Sequence, residues 1–255
     1  MIVMKKFFLI MLSAIFVIVS SILGGIEVNA ETNATSLEDI SKIELDSKLK
    51  SDEPIITLEA YNQLLKKNGL PTVTHEVKIP TFREINEALA KMNVSQDNPY
   101  EQVYLGDGFY IEAIVSERTP SNDNLSVSGT SDVKPMAVYS TTAKGTIHLK
   151  GFFGLIRVAS LTMSVNYSYD PNPPAKIVSY QNTPTVAPWA LPPGTYKVLM
   201  AKNLRIDPAG AVMDAITDVE YDSVPDYNVK FIGHMELRYT ATGTYYIHDS
   251  WFIAP

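Results

Sequence analysis

Chemistry in this chain has to come from carboxylates, four histidines and 14 tyrosines, because the sequence contains no cysteine. Thiol nucleophiles and cysteine-ligated metals are excluded at once. No Gly-x-Ser-x-Gly elbow is present, and His75, His148, His234 and His248 form neither His-x-His nor His-Glu-x-x-His. Asp107 lies in Gly106-Asp107-Gly108, which reads as a tight turn rather than as the Asp-Thr/Ser-Gly of an aspartic protease. Three groupings remain. His234, Glu236 and Arg238 alternate, so a strand would place them on one face as a small polar site, or as an ordinary solvated ion pair. His248 and Asp249 complete the catalytic candidates, but neighbours on a regular strand point apart, which weakens a dyad.

The second grouping is acidic. Asp214, Asp218 and Asp222 recur every fourth residue and share a side whether the segment is strand or helix. Carboxylates grouped this way supply the hard oxygen ligands that calcium takes, although no Asp-x-Asp-x-Asp-Gly loop provides the turn. The third grouping is aromatic: Tyr245, Tyr246 and Trp251, with Phe252, crowd the C-terminus. One of Tyr245 and Tyr246 should face outward, where exposed rings stack on sugars or grip a protein. The alternative is core and edge packing.

The elements that must position these groups follow from periodicity. Residues 1–30 read as a cleavable signal peptide: Lys5 and Lys6, an apolar run from Phe7 to Leu23, the helix-breaking Gly24-Gly25, then Val28-Asn29-Ala30. Residues 31–56 form a polar leader with a short helix over Leu37 to Leu49 and little to bury. Residues 57–98 should hold two helices. Thr57 caps the first, and Gly69 and Leu70 end it in a Schellman motif. Thr81 and Glu84 open the second as a capping box, with Phe82, Ile85, Leu89 and Met92 on one face. Residues 99–117 predict a hairpin about Gly106-Asp107-Gly108. Residues 118–134 read as a Ser/Asn/Thr-rich loop and the best internal boundary. From 135 to 255 the period is two, as in Leu161 to Tyr169 and Tyr227 to Tyr239, with proline-rich turns between runs. Ala211 to Tyr221 fits a strand better than a helix begun at Asp207-Pro208. The expected class is mainly β, an antiparallel sandwich or barrel preceded by a short helical segment.

Removing Lys5, Lys6 and Glu27 with the signal peptide takes the formal net charge from −7 to −8. So acidic a chain repels nucleic acid and anionic lipid headgroups. No membrane span is expected once the signal peptide is cut, and a fold without disulfides must rest on its apolar core or on bound metal.

The run Leu105-Gly106-Asp107-Gly108-Phe109-Tyr110-Ile111-Glu112, a Ser/Thr-rich gap, and long alternating strands after Tyr139 resemble small secreted β-rich proteins of Gram-positive bacteria. The resemblance covers residues 100–180, is one of pattern, and brings no site with it. The reading that follows is a secreted or wall-associated, non-catalytic β-sandwich binding a protein or cell-wall glycan at the cell surface. It predicts exposed aromatics on one sheet. Two alternatives stand beside it: an extracellular hydrolase in which carboxylates converge with His234 or His248, and a secreted toxin or antimicrobial factor processed at 118–134.

Overall fold

Alternating apolar residues build two antiparallel sheets that share one core. The computed structural model describes residues 42–74, 76–116, 138–190, 194–223 and 229–255, with backbone alone at 189–190. The expected signal peptide, the leader up to residue 41, the 118–134 segment and His75 lie outside the described residues. Three helices, α1 (Lys42–Leu49), α2 (Leu58–Lys67) and α3 (Phe82–Leu89), precede ten strands among the described residues. These are β1 (Tyr100–Gly106), β2 (Phe109–Val115), β3 (Tyr139–Gly151), β4 (Ile156–Asp170), β5 (Lys176–Tyr180), β6 (Thr185–Ala190), β7 (Gly194–Arg205), β8 (Val212–Ser223), β9 (Lys230–Thr240) and β10 (Tyr245–Ile253). The first sheet runs β1-β2-β3-β4-β5, with β6 also paired to β4; the second runs β10-β9-β8-β7. This is the mainly β, sandwich-like class expected from the two-residue rhythm.

Inward residues of β4 (Leu161, Met163, Val165, Tyr167 and Tyr169) and of β9 (Phe231, Met235, Leu237 and Tyr239) are all buried in one cluster. The sheets approach closely where side chains are missing. A Cβ on Gly145 of β3 would lie 3.2 Å from Leu237 and Ile247 of the second sheet. Residues 212–223 form a strand, with Met213, Ala215, Val219 and Tyr221 inward.

Both predicted helix signals are present. The amide of Leu70 donates to the carbonyl of Leu65 (2.9 Å) and that of Gly69 to Lys66 (3.1 Å), with Gly69 at φ 71°, the left-handed turn a Schellman stop requires. Thr81 and Glu84 close the capping box in both directions. Two boundaries differ from the sequence reading. The β1–β2 hairpin is no separate segment, because β2 pairs with β3 from Tyr110↔Lys150 to Val115↔Gly145. The later part of the leader is not free either: Ile55 and Ile56 are buried in the core, and α1 lays Leu45 and Leu49 against Ile232, Trp251 and Ile253. Only two apolar residues of α1 make that contact, too few to stand out as a helical stripe.

Helix α2 is locked to the first sheet through Tyr61, whose ring lies 5.0 Å from Phe109. A Cβ on Gly151 would sit 2.7 Å from the Tyr61 hydroxyl and 3.0 Å from Phe109. Gly151→Ala should therefore cost about 1–3 kcal/mol through overpacking, read as a lower urea midpoint with unchanged slope.

Candidate functional site

The outer face of the second sheet gathers most of the residues that the sequence singles out. Cross-strand register places Asp214 opposite Arg238 and Asp218 opposite His234, while β10 sets Asp249 opposite Glu236 and Trp251 opposite His234. Asp214 accepts two hydrogen bonds from Arg238, Nε and Nη2 each at 2.7 Å, the bidentate fork that guanidinium geometry favours. Asp218 meets His234 Nδ1 at 2.5 Å, and His234 Nε2 lies 3.6 Å from Glu236. Trp251 stacks face to face on the imidazole, with centroids 4.4 Å apart and planes 5° from parallel. His234, Asp214 and Asp218 are all buried.

Burial alone would push the His234 pKa down. The bonds to Asp218 and Glu236 outweigh it and raise the value to about 9. At neutral pH the ring is thus an imidazolium with both nitrogens engaged by carboxylates, suited to holding a proton rather than abstracting one. Glu236 is pulled the other way, below the usual carboxylate range, first by its bond to His234. The convergence expected of a carboxylate–histidine hydrolase is therefore found, but its central imidazole is charged and covered.

Asp214, Asp218 and Asp222 do share one face, as their spacing requires, yet they do not share an ion site. Four residues along a strand span about 13 Å, so each meets a cation across the ladder instead: Asp214 with Arg238, Asp218 with His234, and Asp222 with Lys230 at 3.8 Å. Calcium at that trio is corrected on geometry.

His248 is placed by an irregularity. The β9–β10 register slips between Ile247 and Asp249, leaving His248 as the extra residue of a β-bulge. The bulge breaks strict alternation and brings His248 towards Asp214 and Glu236, all three offering ligand atoms within 4.8 Å of one another. Asp249 is exposed and accepts from the amide of Ser250, so no His248–Asp249 dyad forms. Nor do the C-terminal aromatics make an open platform. Tyr245 is buried and donates its hydroxyl to the Ser116 carbonyl at 2.7 Å. Tyr246 is half-buried and edge-on to His248, and Trp251 is covered between His234 and the α1 contact.

Apart from Tyr196 of β7, the exposed aromatics among the described residues lie on the other sheet. Tyr100 and Tyr104 alternate with Gln102 on β1, facing outward opposite Ile114, Tyr110 and Glu112 of β2. Tyr100 is 48 % and Tyr104 58 % exposed, and the Tyr104 ring leans on Tyr110 at 5.1 Å. Between them, buried Glu112 accepts from Gln102 Nε2 (2.9 Å) and the Tyr100 hydroxyl (3.2 Å) and pairs with Lys150 Nζ (2.7 Å). These bonds orient Tyr100 and Gln102, and the ring of Tyr110 orients Tyr104. Burial, and then Glu112, raise the Tyr100 pKa, keeping its phenol protonated. At the same end of the sheet, the β3–β4 turn holds Phe152 and Phe153 at φ 50° and 54° and leaves Phe153 and Leu155 each 72 % exposed. Sequence reasoning missed this row. The signal was there: once Phe109, Ile111 and Ala113 are taken as inward, Tyr110 must face out, and the hairpin register puts Tyr104 beside it.

No protein-family model matches the chain, and neither a curated protein nor a solved structure is detectably similar to it.

Proposed function

We propose that this chain is a secreted, wall-associated and non-catalytic β-sandwich that binds cell-wall glycan of a Gram-positive bacterium through the tyrosine row of its first sheet. One observation carries the reading: two exposed tyrosines flank a hydrogen-bonded polar line of Gln102, Glu112 and Lys150 on one sheet face. Sugars present alternating apolar ring faces and hydroxyls. Aromatic faces take the first, and amide, carboxylate and ammonium groups take the second. Export rests on the reading of residues 1–30. Among the described residues no helix is long and apolar enough to cross a membrane. The non-catalytic part of the reading is supported by the charged, covered state of His234.

The test is co-sedimentation with purified, protein-free peptidoglycan. The chain should pellet with it, and Tyr100→Ala/Tyr104→Ala should bind roughly ten- to a hundred-fold more weakly, the loss expected from two stacking contacts. An unaltered unfolding midpoint in the double variant would assign that loss to the rings themselves. Equal retention of both proteins, or binding to whole cells that disappears when surface protein is shaved off by protease, would contradict the reading.

A further inference from the structure

We propose that Asp214, Glu236 and His248 form a site for a divalent transition-metal ion of the zinc type on the outer face of the second sheet, remote in sequence and sheet from the tyrosine row. The three donors come from three adjacent strands, β8, β9 and β10, and their ligand atoms already lie within 4.8 Å of one another. In a tetrahedral zinc site with bonds of about 2.0–2.1 Å, ligand atoms are about 3.3 Å apart. Side-chain adjustment on the order of 1 Å closes that gap, and His248 is exposed and free to make it.

The two carboxylates are fixed from behind. Arg238 grips Asp214 through both oxygens, and His234 holds Glu236, the outer-shell arrangement that orients metal ligands. Arg238 does not exhaust Asp214, because each carboxylate oxygen offers more than one lone pair. Formal charge also favours a cation. Around the site the carboxylates of Asp214, Asp218, Glu236 and Asp249 outnumber the one guanidinium of Arg238. One imidazole and two carboxylates suit zinc, whereas calcium takes oxygen ligands only. The β-bulge is what makes the set, since without it His248 would not face Glu236.

Isothermal titration of the chelator-treated protein with zinc chloride, and separately with calcium chloride, decides the matter. One equivalent of zinc should bind, calcium should give no saturable heat, and His148→Ala should behave as the native chain. His248→Ala and Glu236→Gln should each bind zinc at least tenfold more weakly, with circular dichroism unaltered for the exposed His248 variant. Equal zinc affinity in His248→Ala, absence of zinc binding by the native chain, or preference for calcium would each overturn the proposal.

Discussion

Arg238→Ala is expected to remove about 3–5 kcal/mol of unfolding free energy, a large share of what a domain of this kind possesses. The size comes from what is left behind more than from what is lost. Asp214 is 3 % exposed, and Arg238 meets both of its oxygens. Without the guanidinium, a carboxylate stays buried beside Glu236 with no counter-charge. Replacing both partners by apolar residues of similar length, Asp214→Leu with Arg238→Met, should recover most of the loss, because no unpaired charge then remains. Urea denaturation of the two single variants and the double variant measures this directly. Additive losses would mean that the pair is not coupled.

The second large effect is on pH. Measured with chelator present, stability should be greatest near pH 6.5 and fall on both sides. On the alkaline side, His234 has a folded pKa of about 9 against about 6.5 unfolded. A raised value means that its contribution is complete below pH 6.5 and is lost as pH climbs through 9, roughly 3 kcal/mol in all. The groups facing the ring are Asp218, Glu236 and the stacked Trp251, with the Asp214–Arg238 pair four residues along the ladder. On the acid side, His148 acts in the opposite sense. Burial, and then Arg157, push it down to about 4, so between pH 6.5 and 4 the unfolded chain takes up a proton that the folded chain refuses. Thermal unfolding from pH 4 to 10 should trace this maximum. His148→Gln should flatten only the acid limb. His234→Gln should flatten only the alkaline limb, from a lower starting stability.

Much of this architecture can be read from local chemistry. The capping box, the Schellman stop and the alternation in β4, β8 and β9 each depend on residues close in sequence, so each is written in a short window. What could not be read there depends on partners far along the chain. Helix α1 docks with two leucines whose target, Ile232, Trp251 and Ile253, lies about two hundred residues away in the sequence. The acidic trio shares a face, as its period demands, but rise per residue separates its members, and the cations that claim them sit on β9. His248 escapes the alternation rule because a bulge inserts it, and a bulge leaves no mark in a tyrosine–isoleucine–histidine–aspartate run. The tyrosine row was hidden for the opposite reason: β1 reads as an ordinary hairpin arm until the inward residues of β2 are known.

The central claim is that pairing within the second sheet holds His234 as a covered imidazolium and not as a catalytic base, leaving glycan recognition to the tyrosines of the first. Nitrogen NMR of the imidazole side chains in the metal-free protein tests that pairing most directly. At pH 7.5 His234 should show both ring nitrogens protonated and should deprotonate only near pH 9. A neutral His234 at that pH, with one nitrogen free to accept a proton, would contradict the account and restore the ladder as a catalytic base.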